Sequence, residues 1–159
     1  MTDGTDLTHL RRCVELAAEA LAAGDQPFGS VLVGADGVVL AEDRNRVGGG
    51  DHTQHPEFAL ARWAAAHLPP DARRAATVYT SSEHCTMCAA AHGWVGLGRI
   101  SYASSSEQLL GWLDELGADR PPLTILPVQQ VVPGIAVEGP APELTEEIHG
   151  LFRRMMRAG

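Results

Sequence analysis

The sequence predicts an α/β chain, a three-layer α/β/α sandwich around a mixed sheet of about five strands. Three observations carry this. Short strand-like runs alternate with helical runs of about ten residues or more. One pair of strands is joined by a turn tetrapeptide, which makes the sheet mixed. The 159 residues, 45% hydrophobic and 20% charged, are enough for one core without disulfide staples. Residues 1–159 read as a single domain with no internal repeat or low-complexity segment.

From Leu7 to Ala23 the apolar residues Leu7, Leu10, Val14, Ala17, Ala18 and Leu21 recur at helical spacing, with Gly24 as a C-terminal stop. Phe28 to Val33 and Val38 to Ala41, joined by Gly34-Ala35-Asp36-Gly37, form a hairpin. Val47 to Gln54, with three consecutive glycines, is a loop. Pro56 suits the first position of the next helix, which runs to about His67 before Pro69-Pro70 ends it. Thr77 to Thr80 has strand composition, and Cys85 to Val95 is helical. Ile100 to Ala103 and Leu123 to Leu126 are further strands, separated by a helix near Glu107 to Leu116. Pro133 to Pro142, with three prolines and two glycines, is a connector. The last helix, about Glu143 to Met156 and at most to residue 157, carries the apolar stripe Leu144, Ile148, Leu151, Phe152 and Met155.

Twelve cationic and twenty anionic side chains leave a net charge of −8, which argues against gripping nucleic acid through its phosphates. All twelve cations are arginine, so a Schiff-base or phosphate-loop lysine is excluded. The N-terminal Met1-Thr2-Asp3-Gly4 lacks the layout of a secretion signal, and Glu15, Glu19 and Arg62 interrupt the alanine- and leucine-rich stretches, leaving no membrane span. The expectation is a soluble, reduced, cytoplasmic protein.

The informative feature is Cys85-Thr86-Met87-Cys88, directly after a strand and at the start of a helix. Such a pair is either a redox dithiol or half of a metal site. His55-Pro56-Glu57 upstream offers an imidazole, and two thiolates with an imidazole suit Zn²⁺. Exposed amides at a helix N-terminus also favour thiolates. Taken alone, Pro56-Glu57 is ordinary helix-start chemistry, with glutamate complementing the helix dipole. Paired with the cysteines across 27 intervening residues, it accounts for only half of the pattern.

With these motifs the chain resembles the zinc-dependent cytidine and deoxycytidylate deaminase superfamily, whose pattern is His-x-Glu followed by Pro-Cys-x-x-Cys. Gln26-Pro27-Phe28-Gly29-Ser30-Val31 is similar to the strand entry of guanine deaminases, and Asn45 matches the family's substrate-contacting asparagine. Val78 to Glu83 is similar to the strand leading into the cysteines, and Trp94 matches a tryptophan near the guanine deaminase pocket. Roughly residues 10 to 105 are covered. Two departures stand out: Pro56 replaces the usual alanine, and His84 replaces the proline before the first cysteine.

The resemblance implies a cytidine deaminase-like fold with one Zn²⁺ per chain, held by His55, Cys85 and Cys88 with a fourth position open to water. Glu57 is then the proton carrier, Asn45 orients the substrate, and Phe28 and Trp94 enclose it. His84 is a substrate contact, a donor behind the ligands or a fourth ligand. Release of ammonia from a guanine-type purine is the leading expectation. Cytosine or cytidine, an aminated triazine and tRNA adenosine remain alternatives, the last kept open by Arg153, Arg154 and Arg157. A non-catalytic zinc domain is the other alternative. It requires His84, His52 or His92 to close the tetrahedron, although packing accounts for His92 and solvent exposure for His52. Cys13 reads as a core thiol, Trp63 and Trp112 as packing residues, and Asp114 and Glu115 as solvated. The resemblance also implies a small-molecule partner and a homodimer.

Overall fold

The structure is a computed structural model describing residues 3–158. Met1, Thr2 and Gly159 lie outside the described residues, so the leader reading at Met1-Thr2 does too. Helix α1 (Gly4–Ala22) opens with a capping box in which Asp3 and Asp6 satisfy each other's amides. The hairpin is β1 (Gly29–Val33) and β2 (Val39–Arg44). Helix α2 (Pro56–His67) follows the loop, with Pro56 in its first turn as its sequence predicts. A short helix α3 (Pro70–Ala75) comes next. Then come β3 (Thr77–Ser82), α4 (Thr86–Val95), β4 (Ile100–Ser104) and α5 (Ser106–Glu115). The chain ends with α6 (Val128–Val131), β5 (Val137–Glu138) and α7 (Thr145–Ala158).

The five strands form one mixed sheet in the order β2-β1-β3-β4-β5. β1 is antiparallel to both β2 and β3, whereas β3, β4 and β5 are parallel. Strand alternation sorts the side chains into two layers. Val31, Val33, Tyr79 and Ala103 pack with α1, α5 and α7 on one face. Leu32 and Val78 pack with α2, and Ile100 packs with Ala89 of α4 and Val128 of α6, on the other. The stripe on α7 is spent within the chain, since Leu144 just before it, Ile148, Leu151 and Phe152 are all buried in the first of these cores. Gly29 is required where α1 crosses β1, because a Cβ there would lie 2.4 Å from the Cys13 carbonyl oxygen. No helix among the described residues is long and apolar enough to cross a membrane.

Two sequence expectations are corrected. Leu123–Leu126 is not a strand, and the fifth strand instead lies inside the 133–142 stretch read as a connector. The flanking Pro121, Pro122 and Pro127 lack backbone donors, which suits the 123–126 segment poorly to a ladder. It is tied down by a side chain of α4: the Thr86 hydroxyl donates to the Thr124 carbonyl and accepts from the Leu126 amide. Pro69-Pro70 does end α2, but Pro70 also starts α3.

The amino end of the sheet is locked by one buried acid. Asp6 Oδ1 accepts from the Tyr79 hydroxyl at 2.8 Å, and both Asp6 oxygens accept from the Arg99 guanidinium at 3.1 and 2.8 Å. Burial pushes the Asp6 carboxyl up, but the Arg99 and Tyr79 hydrogen bonds outweigh it and hold the group below its usual 3.8. A depressed carboxyl stabilises the fold above the unfolded value and loses that contribution as pH falls through the folded one. Asp6→Asn should therefore cost about 1.5–3 kcal/mol near neutral pH in denaturant titrations. The gap from the native chain should close as the pH drops below 3.8. A gap constant from pH 7 to pH 3 would contradict this account.

Candidate metal and active site

Two helices begin at the same place. His55 is the N-cap of α2 and Cys85 the N-cap of α4, where Cys85 Sγ accepts from the Cys88 amide at 3.5 Å. The backbone of each N-cap residue is extended, and the two side chains meet. His55 Nδ1 lies 3.5 Å from Cys85 Sγ and 3.5 Å from Cys88 Sγ. The three ligand atoms all fall within 4.8 Å of one another.

The donor set fits a soft dication. Nitrogen-to-sulfur separations of this size belong to a tetrahedron with bonds of about 2.0–2.3 Å, and two sulfurs with one imidazole are a zinc set. Electrostatics favour the same reading. A hydrogen bond from Cys88 draws the Cys85 thiol down to about 4, against the opposing effect of burial and with help from His55. The same bond, together with burial and the nearby Glu57, drives Cys88 well up. The opposite directions of the two thiols mean that ionising one opposes ionising the other, an opposition that a bound cation would relieve. His55 is raised by its hydrogen bond to Cys85, against burial and with support from Glu57.

His52, His84 and His92 lie outside this group of mutually close donors. His52 is exposed. His84 is fully buried and meets the His92 ring edge-on, with centroids 5.3 Å apart. His92 Nε2 donates to the Gly98 carbonyl at 2.8 Å, fixing that tautomer. Burial first, then the neighbouring His92, holds His84 well below its usual range, so the imidazole is neutral at physiological pH. Three protein donors therefore leave one tetrahedral position uncommitted, the arrangement of a catalytic rather than a structural zinc.

Glu57, in the first turn of α2, is buried. Burial raises its carboxyl; the Thr80 hydrogen bond and His55 pull it back. Glu57 Oε1 accepts from Thr80 Oγ1 at 2.7 Å and from Ser30 Oγ at 3.1 Å. Sequence reasoning missed Ser30 and Thr80. The available signal was the run Thr80-Ser81-Ser82 in a strand that precedes the cysteines, where buried hydroxyls need partners. Ser82 and Ser104 continue the polar line, with their hydroxyls 2.9 Å apart.

Asn45 is buried at the end of the hairpin, where Oδ1 accepts from the Val47 amide at 3.0 Å and the Gln26 amide at 3.3 Å. Its Nδ2 is buried with no partner among the described residues. Phe28 packs edge-on against Phe152, with centroids 5.5 Å apart, in the core beneath α1 and α7. Trp94 is 92% exposed on α4, so within one chain its ring encloses nothing. Asp114 is committed to Arg120, at 2.6 Å. Cys13 is a buried core thiol, raised chiefly by that burial.

Residues 4–104 match the family described as the cytidine and deoxycytidylate deaminase zinc-binding region. A probable cytosine deaminase of Schizosaccharomyces pombe is 36% identical over 123 residues, 76% of this chain and 72% of that protein. A guanine deaminase of Bacillus subtilis is 38% identical over 99 residues, 61% of this chain and 63% of that protein. The fold also matches a solved guanine deaminase from Nitrosomonas europaea, with a TM-score of 0.73 at 20% identity, over 99% of this chain and 86% of that one. A zinc-type donor triad, a buried glutamate beside it and a family match spanning both motifs make this chain a member of the cytidine and deoxycytidylate deaminase family, a hydrolase acting on carbon–nitrogen bonds.

Proposed function

We propose that this deaminase acts on a free purine base of the guanine type, replacing an exocyclic amine by a carbonyl and releasing ammonia. The observation that carries the reading is the Asn45 amide nitrogen, a buried donor with no partner among the described residues, at the end of the hairpin. Leaving such a donor unpaired costs about 1–3 kcal/mol, a cost that a ligand acceptor would offset. Guanine presents N7 and O6 as adjacent acceptors on one edge. The Phe28-Gly29 strand entry and the likeness to the Bacillus subtilis guanine deaminase support the same base. Cytosine is the second reading, favoured by the longer match to the Schizosaccharomyces pombe relative. A tRNA substrate is disfavoured by the net charge of −8, and within the C-terminal arginine cluster Arg153 already pairs with Glu146 at 2.9 Å. A homodimer, as the resemblance implies, is part of the proposal.

His55, Cys85 and Cys88 would hold the zinc, which when bound supplies a Lewis acid that makes water acidic near neutral pH. Glu57 accepts the proton of the attacking water and delivers it to a ring nitrogen. It then protonates the departing amine, so that ammonia leaves as the carbonyl forms. Asn45 orients the ring through Nδ2 while its Oδ1 goes on accepting from the Gln26 and Val47 amides. His84 and His92, packed edge-on and both lowered by burial, add no charge beside the ligand set.

Glu57→Gln should keep one zinc per chain and lower ammonia release from guanine by about 10²–10⁴-fold. Unchanged turnover would remove Glu57 from the chemistry. Asn45→Asp keeps an oxygen that accepts from Gln26 and Val47 and replaces the free donor by a second carboxyl oxygen, an acceptor. Its kcat/KM for guanine should fall about tenfold or more in steady-state kinetics under conditions where thermal melts show the variant folded. Failure of the zinc-loaded native protein to deaminate guanine while it turns over cytosine would transfer the assignment to the second reading.

A further inference from the structure

We propose that Ser30 and Thr80 are positioning residues for Glu57: their hydroxyls hold Oε1 as a fixed acceptor, so that Oε2 carries the proton throughout the reaction. This rests on the deaminase reading and adds a division of labour between the two carboxyl oxygens. The two hydroxyls come from adjacent antiparallel strands and stand directly opposite each other in the register, Ser30 against Thr80. Both are fully buried, and Ser30 Oγ also lies 2.9 Å from Thr80 Oγ1. Their neighbours on the same sheet face, Leu32 and Val78, are apolar, so hydroxyls at these two places serve no packing need.

Proton accounting gives the consequence. Each hydroxyl has one proton. Thr80 has two acceptors in reach, Glu57 Oε1 at 2.7 Å and the Ser82 carbonyl at 2.9 Å; Ser30 has Glu57 Oε1 at 3.1 Å and Thr80 Oγ1. When Glu57 is ionised, both hydroxyls can donate to Oε1. When it is protonated, Thr80 can turn to the Ser82 carbonyl while Ser30 keeps Oε1 paired. An oxygen that always receives a donor stays the acceptor of the carboxyl, and the acidic proton resides on its partner. In the reaction, water oxygen bonds to the amine-bearing carbon and one water proton passes to Oε2, then to the ring nitrogen. On collapse the remaining hydroxyl proton passes through Oε2 to the amine as the carbon–nitrogen bond breaks and ammonia departs. The carboxyl needs no rotation between these transfers.

Thr80→Val removes the hydroxyl at nearly constant volume, Ser30→Ala removes the second, and Thr80→Ser restores the donor. With guanine, or with cytosine if that is the base turned over, each removal should lower kcat about 10-fold or more with little change in KM. Zinc content should stay at one per chain, and Thr80→Ser should recover most of the loss. A substrate-independent arm uses the infrared carboxylate band that vanishes in Glu57→Gln. That band should shift in Thr80→Val and return in Thr80→Ser. An unmoved band, a raised KM at unchanged kcat, or a Thr80→Ser chain that behaves like Thr80→Val would overturn the proposal. If the native protein turns over neither base, the substrate reading fails, and the infrared arm still decides the positioning claim.

Discussion

The site depends on crowding three soft donors at the start of two helices. Cys85 and Cys88 meet His55 at 3.5 Å each, with the Cys85 thiol drawn down and the Cys88 thiol pushed up. The α4 amides favour a thiolate, the Cys88 amide lying 3.5 Å from Cys85 Sγ. Such a cluster is unsatisfied without a cation, because the second thiolate cannot form against the first in a buried setting. A divalent ion resolves the repulsion and makes the ligands' protonation states those of a metal site. Glu57 sits one residue beyond Pro56 on the same turn: burial above all, and then Cys85, push its carboxyl up, while Thr80 and His55 pull it down.

The sheet decides where these groups meet. Because β1 runs antiparallel to β3, residue 30 faces residue 80 across one ladder, and both face α2 rather than α1. Because β3 and β4 are parallel, their carboxyl ends lie together, and the chain leaving β3 runs directly into Cys85. A crevice at the carboxyl ends of parallel strands is where α/β sheets place their ligands. The far end of the sheet carries no such chemistry and is closed by Asp6, Arg99 and Tyr79, whose pairing fixes α1 to β3 and β4.

Much of this was legible in the residues, for identifiable reasons. α2 could be bounded at both ends because Pro56 suits only a first turn and Pro69-Pro70 interrupts the next. The metal donors were legible because their spacing survives folding: His-x-Glu and Cys-x-x-Cys each sit at one helix start. β5 was not, since two residues beside Gly139 carry no alternation, and the crossing of Tyr102 at that glycine depends on tertiary contact. Leu123–Leu126 has strand composition but is held by Thr86 from 38 residues away, a partner no local pattern specifies. Ser30 and Thr80 were missed for a related reason. The run Thr80-Ser81-Ser82 marks buried hydroxyls that need partners, but which partner each takes appears only when the register sets Ser30 and Thr80 against Glu57.

The open corner of the donor set separates a catalytic zinc from a structural one, and His84, buried against His92 and directly before Cys85, is the side chain that bears on the question. A crystal structure of the zinc-loaded protein with an anomalous difference map at the zinc edge addresses it most directly. The account predicts one ion bound by His55 Nδ1, Cys85 Sγ and Cys88 Sγ, with a fourth ligand that does not come from the protein. An ion whose fourth ligand is His84 or another side chain, or zinc-treated crystals with no peak at this cluster, would contradict it.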